Sequence, residues 1–432
     1  MCLMEVSVPT GIAVLGIVAL VLVASSLIGG LIGPTPKYEL ADRQGLPPND
    51  SERFLQVLEA LSDAQVNRTG TLEVLKNGPS FYPMELDAIR NATQSVNIEA
   101  YIFQKGKIAD QYLSALTERS RAGVRVNLVI DAVGSAGTTK KYFFPLLEAG
   151  GKVRWYNGPS WHGLMHLDNR THRELMIVDG RVGFIGGAGI ADEWYTGTKG
   201  HPRWRDSAVR IEGEGVSNLQ ATFAENWLAT SGELLTGEAY FPSIRNEHPL
   251  VAMVVNSTPT VGGGTRARIL FQLLLASARE SISITTPYFL PDKSLMKELC
   301  NAVERGLRVR ILVPGRKSDH MVTRSTSRAR YGELLKSGAE VYEYQPSMIH
   351  AKVLCIDSRW VVVGSTNLDN RSFGINDEVN LALRDANIAM RFENDMALDL
   401  EQSRRISLQE WKHRPVRERA TELMGLVFQR QQ

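Results

Sequence analysis

An internal repeat limits this chain more than any other feature. Ser95 to Tyr101 (SVNIEAY) recurs as Ser281 to Tyr288 (SISITTPY), Ala122 to Asp131 (AGVRVNLVID) as Arg305 to Pro314 (RGLRVRILVP), and Leu146 to Val153 (LLEAGGKV) as Leu334 to Val341 (LLKSGAEV). Repeats of this length mark one supersecondary unit used twice. Each copy reads strand, helix, strand, helix, strand, then a hairpin carrying a histidine. Strands separated by helices predict an α/β fold with a mostly parallel sheet flanked by helices in each half. The first half is expected over 71–245 and the second over 246–390.

The second hairpin begins at Ser347 and carries His350, Lys352, Asp357, Gly364, Ser365 and Asn367 in the pattern H-x-K-x4-D-x6-G-S-x-N. In an extended segment side chains two apart share a face, so His350 and Lys352 point together while Ala351 points away. Val353 to Ile356 reads as a buried strand and Trp360 to Val363 as its partner, joined by a tight Asp-Ser-Arg turn. Gly364 and Ser365 can bring backbone close to a phosphate, and Asn367 can donate a hydrogen bond to it. Taken alone, a His-x-Lys pair is more simply a core histidine beside a surface lysine. The full pattern, continued by Leu368 to Glu378 (LDNRSFGINDE), resembles the phospholipase D superfamily and, within it, the cardiolipin synthase branch.

The repeat predicts where the first such hairpin lies. His172-Arg-Glu174, Asp179, Gly186, Gly187 and Gly189 align with the second pattern position by position. Two positions depart from it: Glu174 replaces the lysine and Gly189 replaces the asparagine. An anion in place of a cation about 4 Å from a phosphate turns an attraction of about 4 kcal/mol into a comparable repulsion at an effective dielectric near 20. Three explanations compete. The site borrows another cation, with Arg170, Arg173, Lys105 and Arg205 as candidates; it holds Glu174 protonated or turned away; or this half is inactive. His172 and the nearby His162 and His166 argue against decay.

The resemblance implies an active site between the halves and two-step phosphoryl transfer without metal or other cofactor. His172 would attack phosphorus and form a phosphatidyl-histidine, with His350 as general acid and then base. The spacing does not itself distinguish the two histidines. Lys352, Asn367, Ser365 and the backbone at Gly364 and Gly187 would hold the phosphoryl oxygens. The resemblance puts Asp206 behind His172 and Glu378 behind His350, and Asp179 and Asp357 are expected to brace the hairpins rather than touch substrate. With phosphatidylglycerol as both donor and acceptor the products are cardiolipin and glycerol; with water as acceptor the enzyme is a phospholipase D. A superfamily nuclease and a catalytically silent lipid-binding protein are the other readings.

The rest of the chain bears on location. From Val6 to Ile32 there is no charged residue, which is long enough for a transmembrane helix over 6–32, since about 20 apolar residues span a bilayer core. No Lys or Arg precedes it, unlike the start of a signal peptide. The slight positive excess after it predicts a single-pass anchor with a cytoplasmic catalytic body. Pro34, Pro36, Pro47 and Pro48 mark a linker within 33–70, followed by a helix capped by Ser51 whose stripe of Phe54, Leu55, Leu58 and Leu61 packs into the core. A further helix is expected from Met84 to Thr93. The tail over 391–432 reads as helical, with Arg414 to Gln432 packed on the core or lying on an anionic membrane surface. A net charge of +2 over 432 residues argues against a dedicated nucleic-acid binder. Cys2, Cys300 and Cys355 are too scattered for a disulfide framework or a zinc site.

Overall fold

The computed structural model describes residues 37–158, 168–259, 265–416, 418–419 and 422. The expected membrane segment 6–32, the stretch around His162 and His166, and most of Arg414 to Gln432 lie outside the described residues. Among the described residues no helix is long and apolar enough to cross a membrane.

The strands are β1 (Val66–Lys76), β2 (Ser95–Ala100), β3 (Arg125–Asp131), β4 (Lys152–Tyr156), β5 (Leu175–Val178), β6 (Val182–Gly186), β7 (Ser207–Gly213), β8 (Pro249–Ser257), β9 (Ser281–Thr285), β10 (Arg308–Pro314), β11 (Glu340–Tyr344), β12 (Val353–Ile356), β13 (Trp360–Gly364), β14 (Glu378–Arg384) and β15 (Ser403–Ile406). Among the described residues they form a 15-stranded sheet in the order β15-β11-β10-β9-β12-β13-β14-β8-β1-β7-β6-β5-β2-β3-β4. Read outward from the antiparallel β1–β8 seam, the two halves have the same strand order, and the second adds β15 at its edge. The repeat seen in the sequence is therefore a repeat of topology.

The expectation of a mostly parallel sheet is corrected. Among the described residues only β2–β3, β3–β4, β9–β10 and β10–β11 run parallel. These strands are joined through helices, and a parallel return needs such a crossover. The histidine-bearing hairpins β5–β6 and β12–β13 need none, so they enter antiparallel and make the remainder of each half antiparallel. The tail also differs from expectation: helix Ala386–Glu401 is followed by β15, which pairs with β11 and covers that sheet edge. Helix Gly78–Arg90 starts earlier than expected and carries Pro83 in its interior. Burial of Phe81 and Tyr82 beside that proline offsets the lost backbone hydrogen bond.

The two half-sheets pack face to face, with β13 against β6 and β7. Val129, Ile177, Ile185, Val209 and Ile211 of the first half share one apolar layer with Val361, Val363, Leu381 and Leu383 of the second. Outer layers are closed by helices, including Glu52–Ser62, whose N-cap Ser51 accepts the Phe54 N–H at 3.1 Å. Phe54, Leu55 and Leu58 are buried as expected, but Leu61 is exposed at the end of the helix.

Each hairpin turns at an aspartate in the left-handed region, Asp179 at φ 54° and Asp357 at φ 53°. The Asp179 carboxylate accepts the N–H groups of Thr93, Gln94 and Ser95, and Asp357 accepts those of Arg279, Glu280 and Ser281 together with Asn49 Nδ2. These aspartates are braces at the far end of β5 and β12 from the histidines. Replacing Asp357 by Ala leaves those donors without an acceptor, and a loss of about 2–4 kcal/mol is expected in urea unfolding, with Asp357→Asn costing less because it keeps one acceptor.

Candidate active site

Each histidine lies three positions before the first strand of its hairpin, and its backbone is held by the opposite half. His172 N–H donates to Asp377 O at 2.9 Å, and His350 N–H donates to Arg205 O at 2.7 Å. Asp377 and Arg205 are the residues just before Glu378 and Asp206. The acids therefore arrive beside the histidine of the other half: His172 Nδ1 lies 3.1 Å from Glu378 Oε2, and His350 Nδ1 lies 3.0 Å from Asp206 Oδ2. This reverses the expected pairing of Asp206 with His172 and Glu378 with His350. The reason is the near-twofold meeting of the halves, which sets the start of β7 beside His350 and the start of β14 beside His172. A carboxylate on Nδ1 fixes the tautomer with the proton there, and His172 keeps Nε2 toward the cavity it lines.

That cavity, about 300 Å³, is lined from both halves. His172, Arg170, Glu174 and Gly187 come from the first, and His350, Asn367, Asp369 and Arg371 from the second; Tyr101, Tyr288, Trp194 and Trp204 form aromatic walls. Rings brace the histidines: Tyr101 meets His172 edge-on at 5.1 Å, and Trp194 meets His350 at 5.2 Å. Lys352 lies just behind the wall, its Nζ 3.0 Å from His350 Nε2 and 2.9 Å from His350 O, the two atoms there that can accept from it. A Cβ on Gly187 would stand 2.7 Å from Lys352 Cδ, so the missing side chain makes room for the lysine. Burial, reinforced by the Lys352 charge and opposed by Asp206, lowers the His350 pKa to about 4. Burial likewise lowers that of Lys352. Asp369, buried at the N-cap of helix Asn370–Gly374, is pushed up to about 7 by desolvation.

Glu174 is buried, and its Oε1 accepts the N–H groups of Tyr101 at 3.1 Å and Ile102 at 3.3 Å. Burial pushes its carboxyl well above the usual range, with those amides and Lys352 opposing. A Cβ at Gly189 would lie 3.2 Å from Glu174 Oε1 and 2.6 Å from Ile102 O, so the two departures from the pattern are sterically linked. An asparagine at 189 does not fit where Glu174 has folded onto this backbone.

Of the four cations considered as substitutes, Arg170 lines the cavity, held by Asn169 O and Asn157 O and lying 3.5 Å from Asp131. Arg173 points into the interior toward Glu225, Thr222 O and Asn256. Arg205 is committed to Asp399, Asp206 O and Ser207, and Lys105 sits over the Tyr142 ring. Two expected phosphate contacts also stand elsewhere. A Cβ on Gly364 would collide with the Val379 carbonyl, so this glycine permits close approach of β14 rather than of a ligand. Ser365 is fully buried; its hydroxyl donates to Glu378 and its carbonyl lies 3.1 Å from His172 Nδ1. Asn367 does line the cavity, and its Oδ1 has no hydrogen-bond partner among the described residues. Among the described residues no group of three His, Cys, Asp or Glu side chains could hold a metal ion.

Several lining residues were not singled out in the sequence: Tyr101, Tyr288, Trp194, Trp204, Asp319, His320, Asp369 and Arg371. A signal existed for some of them. Tyr101 and Tyr288 close the same repeated segment, Trp204 precedes Arg205 and Asp206, and Asp369 and Arg371 lie in the run after Asn367.

Residues 86–227 and 272–400 match the family model described as cardiolipin synthase, phospholipase D-like domain. The chain is 32% identical to a probable cardiolipin synthase of Bacillus subtilis over 91% of its own length and 78% of the relative's. It is also 32% identical to cardiolipin synthase 1 of Bacillus anthracis, covering 86% of this chain and 75% of that one. The fold is similar to the crystal structure of phosphatidylserine synthase from Haemophilus influenzae, with a TM-score of 0.65 at 15% identity over 86% of this chain and 99% of that chain.

The exchanged pairing has a spectroscopic consequence. His350 should stay neutral from pH 5 to 8 in nitrogen-15 histidine spectra. Lys352→Ala should raise its pKa by removing a neighbouring cation, and Asp206→Asn should lower it further. Glu378→Gln should perturb His172 and leave His350 unchanged.

Proposed function

We propose that this chain, which belongs to the cardiolipin synthase family of phospholipase D-like proteins, is a phosphatidyltransferase that joins two phosphatidylglycerol molecules into cardiolipin and releases glycerol. The observation that carries this reading is one cavity with a histidine from each half, each backed by a carboxylate of the other half. In the first step His172 Nε2 attacks phosphorus, the bond to the glycerol oxygen breaks, and His350 gives that oxygen a proton. In the second, His350 takes the proton from the hydroxyl of the incoming phosphatidylglycerol, whose oxygen attacks phosphorus and displaces His172. His350 rests neutral, but a phosphodiester anion entering beside it favours the charged form that the first step needs. The choice of His172 as nucleophile follows the family resemblance, and its Nδ1 contact with Glu378 suits that role.

Lys352, Arg170 and Asn367 are proposed to hold the phosphoryl oxygens. Glu174 is read as a neutral acid folded onto the Tyr101 and Ile102 amides. Lys352, lying against the backbone of Gly187, then serves the first half as well as its own. A single membrane segment over 6–32 with a cytoplasmic body is proposed as the anchor.

Labelled phosphatidylglycerol in detergent–lipid micelles tests the reading. The full chain should form cardiolipin, and His172→Ala and His350→Ala should each lower the rate about a thousandfold or more. Phosphatidic acid as the product would make the enzyme a hydrolase, and no lipid product would leave a nuclease or a silent lipid-binding protein. Glu174→Gln, an uncharged replacement, should keep activity within about threefold. Glu174→Lys should lose about tenfold or more, because it removes the acceptor for two amides and crowds Lys352 with a second cation. A faster Glu174→Lys enzyme would show that the glutamate hinders the site.

A further inference from the structure

The catalytic cavity is small for a phospholipid. Its volume of about 300 Å³ is at the low end of ligand sites, about 300–1,000 Å³, and its walls are polar and aromatic, with Ile102 the one aliphatic side chain among the described lining residues. It suits a glycerophosphate headgroup, not acyl chains. Chains attached to a phosphorus that reaches His172 must stay outside it, in the bilayer.

The rim of the cavity carries side chains suited to that contact. Val133 is 58% exposed in the turn after β3, and Met321 and Val322, 54% and 57% exposed, open the helix Met321–Ser337 in the connection after β10. Both connections border the cavity. The Ser135 hydroxyl donates to the carbonyl of Tyr101 at 3.0 Å, and His320 and Thr323 flank Met321 and Val322; Tyr101, His320 and Thr323 all line the site. β3 and β10 hold equivalent places in the two halves, so both groups of aliphatics follow equivalent strands. Exposed single aliphatics are ordinary, and Leu61, Leu234 and Val416 are others on this chain, but Val133, Met321 and Val322 stand together around the mouth of one cavity. The same connections expose Lys140, Lys141, Arg316 and Lys317, together with the carboxylates of Glu148, Asp319 and Glu333.

We infer that these two connections form a docking surface for a bilayer containing anionic phospholipid. Val133, Met321 and Val322 enter the headgroup layer, and the four cations meet the lipid phosphates. The surface seats the mouth of the cavity on the membrane, so a headgroup reaches His172 while its acyl chains remain in lipid. This rests on the phospholipid-substrate reading above.

The test uses the full chain carrying Cys2→Ser and Cys300→Ser, with an environment-sensitive fluorophore on V133C, M321C, V322C or, as a control, L398C. Leu398 is 52% exposed on helix Ala386–Glu401 and does not line the cavity. With vesicles of phosphatidylglycerol and phosphatidylcholine, the three rim probes should brighten and be quenched by chain-labelled lipid while the control does not respond. Phosphatidylcholine vesicles alone should give a weaker response. Silent rim probes, or a control that responds equally, would overturn the proposal.

The combined variant V133S/M321S/V322S adds a second readout. It should lose about tenfold in turnover on vesicles and keep its rate on a short-chain phosphatidylglycerol below its micellar concentration. Equal losses on both substrates would mean the residues serve folding or chemistry, and the docking surface would fall. Rim probes that enter lipid in a protein making no lipid product would support the surface and retire the transferase reading.

Discussion

The site depends on an exchange between the halves. Each histidine receives its carboxylate from the other half, and the same crossing is made one residue earlier by the backbone, through His172 N–H to Asp377 O and His350 N–H to Arg205 O. Neither half could orient its own histidine. The shared apolar layer between the half-sheets, in which Val209 and Ile211 meet Val361 and Val363, thereby acquires a chemical consequence, since any slip there would misplace both acids. Close-packed interiors resist such slips, which is why a two-part site can be held this way.

The second organising constraint is the handling of charge in a water-poor space. Lys352, His350, Asp206 and Glu174 lie within one buried cluster. With a lysine at 174 as well, two ammonium groups would share that cluster, each with a desolvation cost and each repelling the other. The glutamate instead folds onto the Tyr101 and Ile102 amides and needs a glycine at 189 for room. The departures from the pattern form one local solution rather than two independent losses. They leave the two halves alike in fold and unlike in chemistry.

Much of this was legible in the chain because the repeat sits in the residues that build the sheet. Val96 to Ala100 and Ile282 to Thr285 keep the same alternation of aliphatic and buried polar side chains, so the copies can be aligned without a structure. The hairpin residues His172, His350, Lys352 and Asn367 were legible for the same reason, as fixed offsets from those strands. Arg173 and Arg205 misled as candidate cations because sequence proximity to a histidine says nothing about which side of the sheet a long side chain takes. Asp369 and Arg371 were overlooked because they act from a five-residue helix whose direction depends on the Asp369 cap.

The sequence by itself determined that there are two α/β halves, that each ends its crossover strands in a histidine hairpin, and that the first lacks the lysine and asparagine of the second. These follow from local periodicity, turn chemistry and spacing, which are properties of contiguous residues. Only the tertiary structure decided that the acids cross over, that Lys352 stands against the first half's Gly187, and that Glu174 and Gly189 share one space. Those facts concern residues separated by up to 206 positions, joined only when the two sheets close on each other.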